Sequence, residues 1–413
     1  MNIAVIGAGV SGLSIARMLS SGNKVRVFEK QSRPGGLIKC TMEEGNLYHL
    51  TGGHVFNSKR QDVLDWFWSL FNKEADFIPA NRNVAIALDD TRIIGAPVEN
   101  HVYQLDLLTQ ASVIRELLEI AMNPPAAVSN FDDFLKSRFG ETLYRIYFGP
   151  YNRKIWRKSL KNVPLEWMEG KLPTPSIEDI FISNISRQGE SNSFVHSSFF
   201  YPKVNGSQFI ADTLAEGLDL SLDTDVTEIV KNGSRWVIGD EIFDKVVFCG
   251  NIKVLPSLLK KSGIRINDAE IQKLEYHGTT SVLCYVDANP YSWIYMPADD
   301  HEAHRIICTG NFSPLNSQPG RMSVTIEFSS VLGKNEILEN LKKIPFCPKY
   351  ITHHFEEYTY PMQNGMTREV IQQVREVVEP EGFYLLGRFA EWEYYNMDAA
   401  MGSALDLKKR IFS

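Results

Sequence analysis

A glycine triplet near the start of the chain constrains the fold more than any other feature. Four apolar residues, Ile3-Ala4-Val5-Ile6, run straight into Gly7-Ala8-Gly9-Val10-Ser11-Gly12. Leu13, Ala16 and Leu19 then recur at helical spacing, and Val25-Arg26-Val27-Phe28 ends on an acid, Glu29. This reads as strand, turn, helix, strand. The first glycine permits the tight turn, the second leaves the backbone open to a pyrophosphate, and the third lets helix and strand lie close. The helix N-terminus offers free N–H groups and partial positive charge to phosphates. An acid about 20 residues after the glycines is placed to take a ribose hydroxyl pair. A lone GxGxxG is weak. With strand, helix and acid all in register, the stretch predicts a dinucleotide site rather than a glycine-rich turn without a ligand.

Arg33-Pro34-Gly35-Gly36 follows the acid. An acid followed by x-Gly-Gly resembles the extension found in FAD enzymes of the two-dinucleotide-binding-domain type, and that resemblance favours FAD.

The 413 residues suffice for two or three packed lobes. A formal net charge of −7 argues against a nucleic-acid surface. Glycines interrupt the first apolar run and no basic region precedes it, so it reads as a strand and not a signal peptide. No apolar stretch reaches the length of about 18 residues that a membrane span needs. Five widely separated cysteines suit a reducing compartment, and a cytoplasmic location is expected.

Residues 37–58 suggest a hairpin feeding a glycine-flanked loop, Gly52-Gly53-His54-Val55. From Leu105 to Met122 the helical spacing of Leu107, Leu108, Ala111, Ile114 and Leu118 predicts a helix with those residues on its apolar face, stopped at Pro124-Pro125. Ser129-Asn130-Phe131-Asp132 resembles a capped helix start and Gly140 a stop, with a third helix from Glu141 to about Trp156. Ser186–Ser193 reads as a polar loop. A helix over Ser207–Glu216 leads to strands near Leu220–Ile229 and Trp236–Ile238, and Val246–Cys249 reads as a return to the first sheet. Val324, Ile326 and Phe328 alternate with polar residues, which predicts a half-buried antiparallel strand. The expected architecture is α/β. A discontinuous Rossmann-like domain takes 1–95, 200–255 and 378–413, a helical lobe takes 100–185, and an antiparallel β-sheet domain takes 256–377.

The chain carries no metal signature, since His301-Glu302-Ala303-His304 is one residue short of HExxH, and none of a hydrolase nucleophile. Chemistry should therefore come from a cofactor. The remaining set of interest is Tyr151-Asn152-Arg153-Lys154-Ile155-Trp156, Trp293-Ile294-Tyr295, Arg305, Tyr360, and Arg388 with Trp392 and Tyr394. A bound diphosphate would satisfy several of these phenols and guanidinia at once. Core aromatics and surface ion pairs account for the same residues without a ligand.

These residues, in this order, resemble the UDP-galactopyranose mutases, especially the eukaryotic type, within the wider amine-oxidase-like and protoporphyrinogen-oxidase-like group. Matching stretches are the GxGxxG with Glu29, Gly52-Gly53-His54-Val55, Pro150-Tyr151-Asn152 with Lys154 and Trp156, Trp293-Ile294-Tyr295 with Pro297, Arg305, Asn311-Phe312-Ser313-Pro314, Tyr360-Pro361 and Gly387-Arg388-Phe389 with Trp392, Tyr394, Asn396 and Asp398. The resemblance implies a nucleotide-sugar mutase that interconverts pyranose and furanose, with N5 of reduced FAD as nucleophile on the anomeric carbon. It implies that Gly7, Gly9, Ser11, Gly12, Glu29, Lys30, Gly35, Gly36, Gly53, Val226, Arg388, Asn396 and Met397 serve the cofactor. Arg305, Tyr295, Tyr360 and Tyr394 would hold the diphosphate, and His54 would sit beside the flavin ring. Asn152, Trp156, Lys171, Trp293, Phe312 and Glu99 would line the substrate side, and Arg82 would lie near the cofactor.

Departures from the family pattern cluster on that side. Lys171 stands where a second diphosphate arginine is usual, Phe312 replaces a tyrosine, Glu99 falls in the segment that cradles the base, and His196 replaces an asparagine. The nucleotide or sugar is therefore open. The alternative class is an FAD oxidoreductase of the amine-oxidase or protoporphyrinogen-oxidase type. No separate nicotinamide domain is visible, so a reductant such as NAD(P)H would share the flavin cleft, or electrons would come from a partner protein.

Overall fold

The computed structural model describes residues 1–124, 128–165, 175–187 and 198–412. The first sheet has five parallel strands in the spatial order Phe383–Leu385, Lys245–Phe248, Asn2–Ile6, Lys24–Phe28, Asp219–Ser221. Asn2–Ile6 is central, and Ile3, Ala4 and Val5 are fully buried. That explains its unbroken apolar run, because a parallel strand covered on both faces has no side left for polar residues. The helices Val10–Leu19, Gly206–Ala215 and Met397–Phe412 cover one face through Leu13, Ala16, Ile210, Leu214, Met401 and Leu407. The helix Thr367–Val378 and a small three-stranded sheet carrying Trp236 cover the other. The strand expected over Leu220–Ile229 stops at Ser221. Asp223 turns the chain at a left-handed φ of 49°, a conformation that short acids tolerate, and the Thr224 N–H donates to the Glu29 carbonyl at 2.9 Å.

A second, seven-stranded sheet runs Lys349–Pro361, Tyr276–Val286, Met322–Phe328, Ala303–Ile307, Trp293–Tyr295, Val84–Ala87, Ile93–Gly95. Val84–Gly95 therefore bonds to this second sheet, through Trp293–Tyr295, and not to the first sheet as the expected boundary at 95 required. Thr367–Val378 moves the opposite way, since Val370, Ile371 and Val374 pack on the first sheet. Met322–Phe328 is buried on both faces, not half-buried. Its Val324, Ile326 and Phe328 join an apolar cluster with Ile337 and Leu341, while Glu327 on the other face lines a cleft. Alternation marked the two faces correctly, but the polar face is enclosed too.

In the helical lobe, Leu107–Met122 forms as expected but turns a different stripe inward. Val113 and Leu117 are each 1 % exposed, whereas Leu107, Leu108, Ile114 and Leu118 face solvent. Two apolar stripes share this helix, and periodicity alone does not say which one docks. The helix Phe131–Leu143 docks on it and decides the matter. Asn130 caps that helix by accepting from the Asp133 N–H at 3.0 Å. Gly140, at φ 81°, breaks it as expected, and Glu116 receives the Thr142 N–H at 2.8 Å across the break. A π-helical turn, Tyr144–Phe148, then leads into Gly149–Trp156. Leu117→Ala should cost about 2–5 kcal/mol in urea unfolding, and Leu118→Ala no more than about 0.5 kcal/mol. The reverse ranking would show that the outer stripe is the packed one. The first helix of the lobe ends at Met122, just before the expected stop at Pro124-Pro125, of which Pro125 lies outside the described residues, as does most of the loop expected over Ser186–Ser193. Among the described residues no helix is long and apolar enough to cross a membrane.

Candidate active site

A cleft of about 540 Å³ is lined by residues from stretches far apart in the chain, between Thr51 and Ala399. Gly52, Gly53 and His54 come from the loop after the Cys40–His49 hairpin, and Tyr147, Tyr151, Asn152 and Trp156 from the helical lobe. Trp293, Tyr295, Arg305, Glu327 and Tyr360 come from the seven-stranded sheet, and Arg388, Tyr394, Asn396 and Met397 from the stretch that enters the last helix.

Arg305 is the centre of the charge arrangement. It sits directly across from Glu327 on the neighbouring antiparallel strand, so strand register alone brings the two together. Its Nε donates to Glu327 Oε2, and its Nη2 donates to the Tyr360 hydroxyl at 2.9 Å. Glu327 is 1 % exposed, and its Oε1 makes no hydrogen bond among the described residues. Burial alone would raise its pKa, but Arg305 and His304 outweigh that and hold it below the usual carboxylate range. His304 lies 3.6 Å from the same carboxylate, and burial lowers its pKa to about 4, so it is neutral at pH 7.

Three rings form a column beside this pair. Tyr360 lies nearly parallel to Tyr394 at 5.6 Å and to His277 at 4.9 Å. Arg388 covers Tyr394 at 5.1 Å and donates to the carbonyls of Thr359, at 3.0 Å, and Tyr395. A second group gathers at Trp293. Arg82 lies over its ring at 4.6 Å and donates to the Tyr295 hydroxyl at 3.2 Å. Tyr151 tilts onto Tyr295, and Tyr147 stacks on Tyr151 at 5.3 Å with 10° between planes. His54 Nε2 donates to the Leu37 carbonyl at 3.0 Å, and burial brings its pKa to about 4.

The glycine-rich loop fits a dinucleotide. A Cβ on Gly12 would lie 1.9 Å from the Gly7 carbonyl oxygen, so helix and strand are as close as backbones allow. Gly35 bridges to Gly9, with its N–H donating to the Ala8 carbonyl at 2.8 Å, so the two glycine pairs form one surface. Glu29, 8 % exposed, is fixed by the N–H groups of Ala8 at 2.7 Å and Gln31 at 3.0 Å. Those two bonds set the carboxylate at the strand end, where it can still accept from hydroxyls.

The glycine-rich loop, Glu29, Gly35 and Gly36 lie outside the lining of the cleft, whereas the expected Gly53, His54, Glu99, Asn152, Trp156, Trp293, Tyr295, Arg305, Tyr360, Arg388, Tyr394, Asn396 and Met397 line it. Phe312 does not. It is 1 % exposed, packed against Phe199, Tyr201 and Trp293 beneath the cleft, because without a hydroxyl it gains more from the core than from the wall. Lys30 is exposed, and Val226 is half-buried against the cluster that holds Phe28 and Trp236. Asn152 lines the cleft with its amide donating to the Phe148 carbonyl at 2.8 Å, and Trp156 is 4 % exposed. Lys171 and His196 lie outside the described residues. Sequence reasoning missed Glu327, His277, His304 and Tyr147. A lone acid on the small-residue face of Met322–Phe328 was the available signal for Glu327, but nothing local pointed to His277.

Residues 5–72 match the sequence pattern of NAD(P)-binding Rossmann-like domains. UDP-galactopyranose mutase of Mycoplasma pneumoniae is 22% identical, over 97% of this chain and 94% of that protein. A crystal structure of reduced UDP-galactopyranose mutase superposes with a TM-score of 0.88 at 21% identity, covering 100% of this chain and 93% of the other. The chain is similar from end to end to the UDP-galactopyranose mutases. The dTDP-fucopyranose mutase of Escherichia coli is 28% identical over 39% of this chain and 43% of its own length. A protoporphyrinogen-oxidase-like protein from Exiguobacterium shares the fold, with a TM-score of 0.75 at 15% identity over 99% of this chain and 98% of the other.

Proposed function

We propose that the protein is a flavin-dependent nucleotide-sugar mutase that interconverts pyranose and furanose rings. The observation that carries the reading is Arg305, locked by Glu327 and touching Tyr360, inside a cleft that also holds Tyr295, Tyr394 and Arg82. An apolar amine has no use for such a set, whereas a diphosphate can use all of it. The cofactor we assign is FAD, held by the Gly7–Gly12 loop and Glu29 on one side and by Gly53, Arg388 and Met397 on the other. When bound and reduced, FAD supplies a nucleophilic N5 for the anomeric carbon.

The chain's own residues do the rest. Arg305 and the hydroxyls of Tyr360, Tyr295 and Tyr394 donate to the diphosphate oxygens and stabilise the charge that grows as the nucleotide leaves. Trp156, Trp293 and Tyr151 wall off water, which would otherwise capture the freed sugar. His54, neutral and tied to the Leu37 carbonyl, fixes the loop against which a planar ring can pack.

The test is anaerobic incubation of dithionite-reduced and oxidised protein with UDP-galactose, UDP-galactofuranose and dTDP-fucose, followed by chromatographic separation of ring forms. We expect ring interconversion of at least one sugar, and only after reduction. No interconversion with any of them, together with peroxide formed from amines or porphyrinogens, would replace this reading by the oxidoreductase one.

A further inference from the structure

A second cavity, of about 580 Å³, lies at the other end of the seven-stranded sheet from the cleft. The strand Tyr276–Val286 joins the two, since His277 lines the cleft and Tyr285 lines this cavity. Eight residues of strand set them roughly 26 Å apart, so the proposed reaction makes no use of it. Its charged lining is Arg321, Lys349 and Asp287, and its sulfhydryl is Cys347.

Strand register explains the gathering. Ser323 and Lys349 sit directly opposite Tyr285 on its two neighbouring strands. Arg321 lies two residues before Ser323, Cys347 two before Lys349, and Asp287 two after Tyr285, so three antiparallel strand ends bring them to one place. The Tyr285 hydroxyl accepts from the Asn46 amide at 2.8 Å, and the Arg321 guanidinium lies over the Tyr285 ring at 4.7 Å. That contact orients the guanidinium and leaves its N–H edge to a ligand. Arg321, Lys349 and Asp287 form no ion pair among the described residues, although they line one cavity. Cys347 is exposed, whereas Cys40, Cys284 and Cys308 are buried and Cys249 is partly so. Its turn is fixed. Phe346 and Cys347 take left-handed φ angles of 67° and 48°, and the Phe346 carbonyl accepts the Asp287 N–H at 2.9 Å.

Two unpaired cations and one unpaired anion around a thiol suit a ligand of the opposite pattern, with two carboxylates and one ammonium group. A phosphate or a simple diacid would meet Asp287 with no group to satisfy it. A disulfide whose halves carry this pattern also offers a sulfur to Cys347. The cavity volume falls in the range of small-molecule pockets, about 300–1,000 Å³.

We propose that this cavity is a thiol-modification site, which takes a small peptide disulfide with two carboxylates and one ammonium group on each half and joins one half to Cys347. Arg321 and Lys349 hold the carboxylates, and Asp287 holds the ammonium group. The Cys347 thiolate attacks one sulfur, the old S–S bond breaks as the new one forms, and the other half leaves as a thiolate. The disulfide is the oxidant, and the flavin takes no part. A failure here leaves the mutase reading untouched, and the reverse holds.

The full chain, reduced and then freed of reductant, is treated with three disulfides and followed by intact mass and peptide mapping. Glutathione disulfide has the stated pattern, dithiodipropionate has the same net charge without ammonium groups, and hydroxyethyl disulfide is neutral. We expect one adduct, at Cys347, and none in Cys347→Ser. Measured against hydroxyethyl disulfide, glutathione disulfide should lose roughly tenfold in rate in the double variant Arg321→Gln with Lys349→Gln, because two exposed ion pairs are lost. In the wild type the same preference should fade between about 0.02 and about 0.5 M salt, which reads the charge effect without a variant. Asp287→Asn should narrow the gap between glutathione disulfide and dithiodipropionate. An adduct on another cysteine, a preference that neither salt nor loss of the two cations reduces, or an unchanged gap in Asp287→Asn would overturn the assignment.

Discussion

Arg305→Ala will abolish ring interconversion while FAD stays bound, and it will also destabilise the protein. The first effect follows from the proposed clamp. Removing one preorganised donor from a developing oxyanion costs about 10²–10³ in rate, and Arg305 contributes a charge as well. The second follows from Glu327, which is buried and has lost its guanidinium. Breaking one side of a buried pair costs about 3–5 kcal/mol. The two effects separate in the double variant Arg305→Ala with Glu327→Gln, which removes the stranded charge. Thermal unfolding should recover most of the loss, and turnover should stay absent. If the double variant turns over at a rate near the wild type, Arg305 is a structural ion-pair partner and the clamp lies elsewhere.

Gly12→Ala will give protein that no longer retains flavin. The added Cβ would lie 1.9 Å from the Gly7 carbonyl oxygen, a backbone atom that cannot swing aside. The first helix must then back away from the central strand, and its N-terminus leaves the place where a pyrophosphate would sit. Overpacking of this kind costs about 1–3 kcal/mol even in tolerant cores, and here the displaced groups are those that bind. Gly365→Ala is the matched control, since its Cβ would meet nothing within 4 Å and its backbone takes no left-handed angle. Visible absorbance of the purified proteins decides the outcome. A yellow Gly12→Ala with full occupancy would mean that the cofactor sits away from this loop.

The nucleotide-binding half was legible because its signals are local. Glycine spacing, a buried strand without polar residues and a terminal acid all fall within the first 36 residues, and each has one mechanical explanation. Arg305, Tyr295, Tyr360 and Tyr394 were placed by resemblance, and the cleft brings them together. What was hidden is non-local. The stripe on Leu107–Met122 that docks is chosen by another helix, and the polar face of Met322–Phe328 is closed over by distant segments. Glu327 became visible only through cross-strand register with Arg305. Phe312 shows the reverse failure, in which a residue at a matching position loses its polar group and sinks into the core.

If the protein is the mutase proposed above, the Arg305–Glu327 pair bears on its turnover. Its two charges nearly cancel, so an incoming dianion meets a tempered pull instead of a bare cation. A reaction in which the same nucleotide must depart, linger and rejoin a reshaped sugar needs a hold of intermediate strength. An unopposed guanidinium would keep the nucleotide too long, and phenols alone would let it drift into solvent before the sugar recloses. The counter-charge beneath Arg305 sets a grip suited to catch and release.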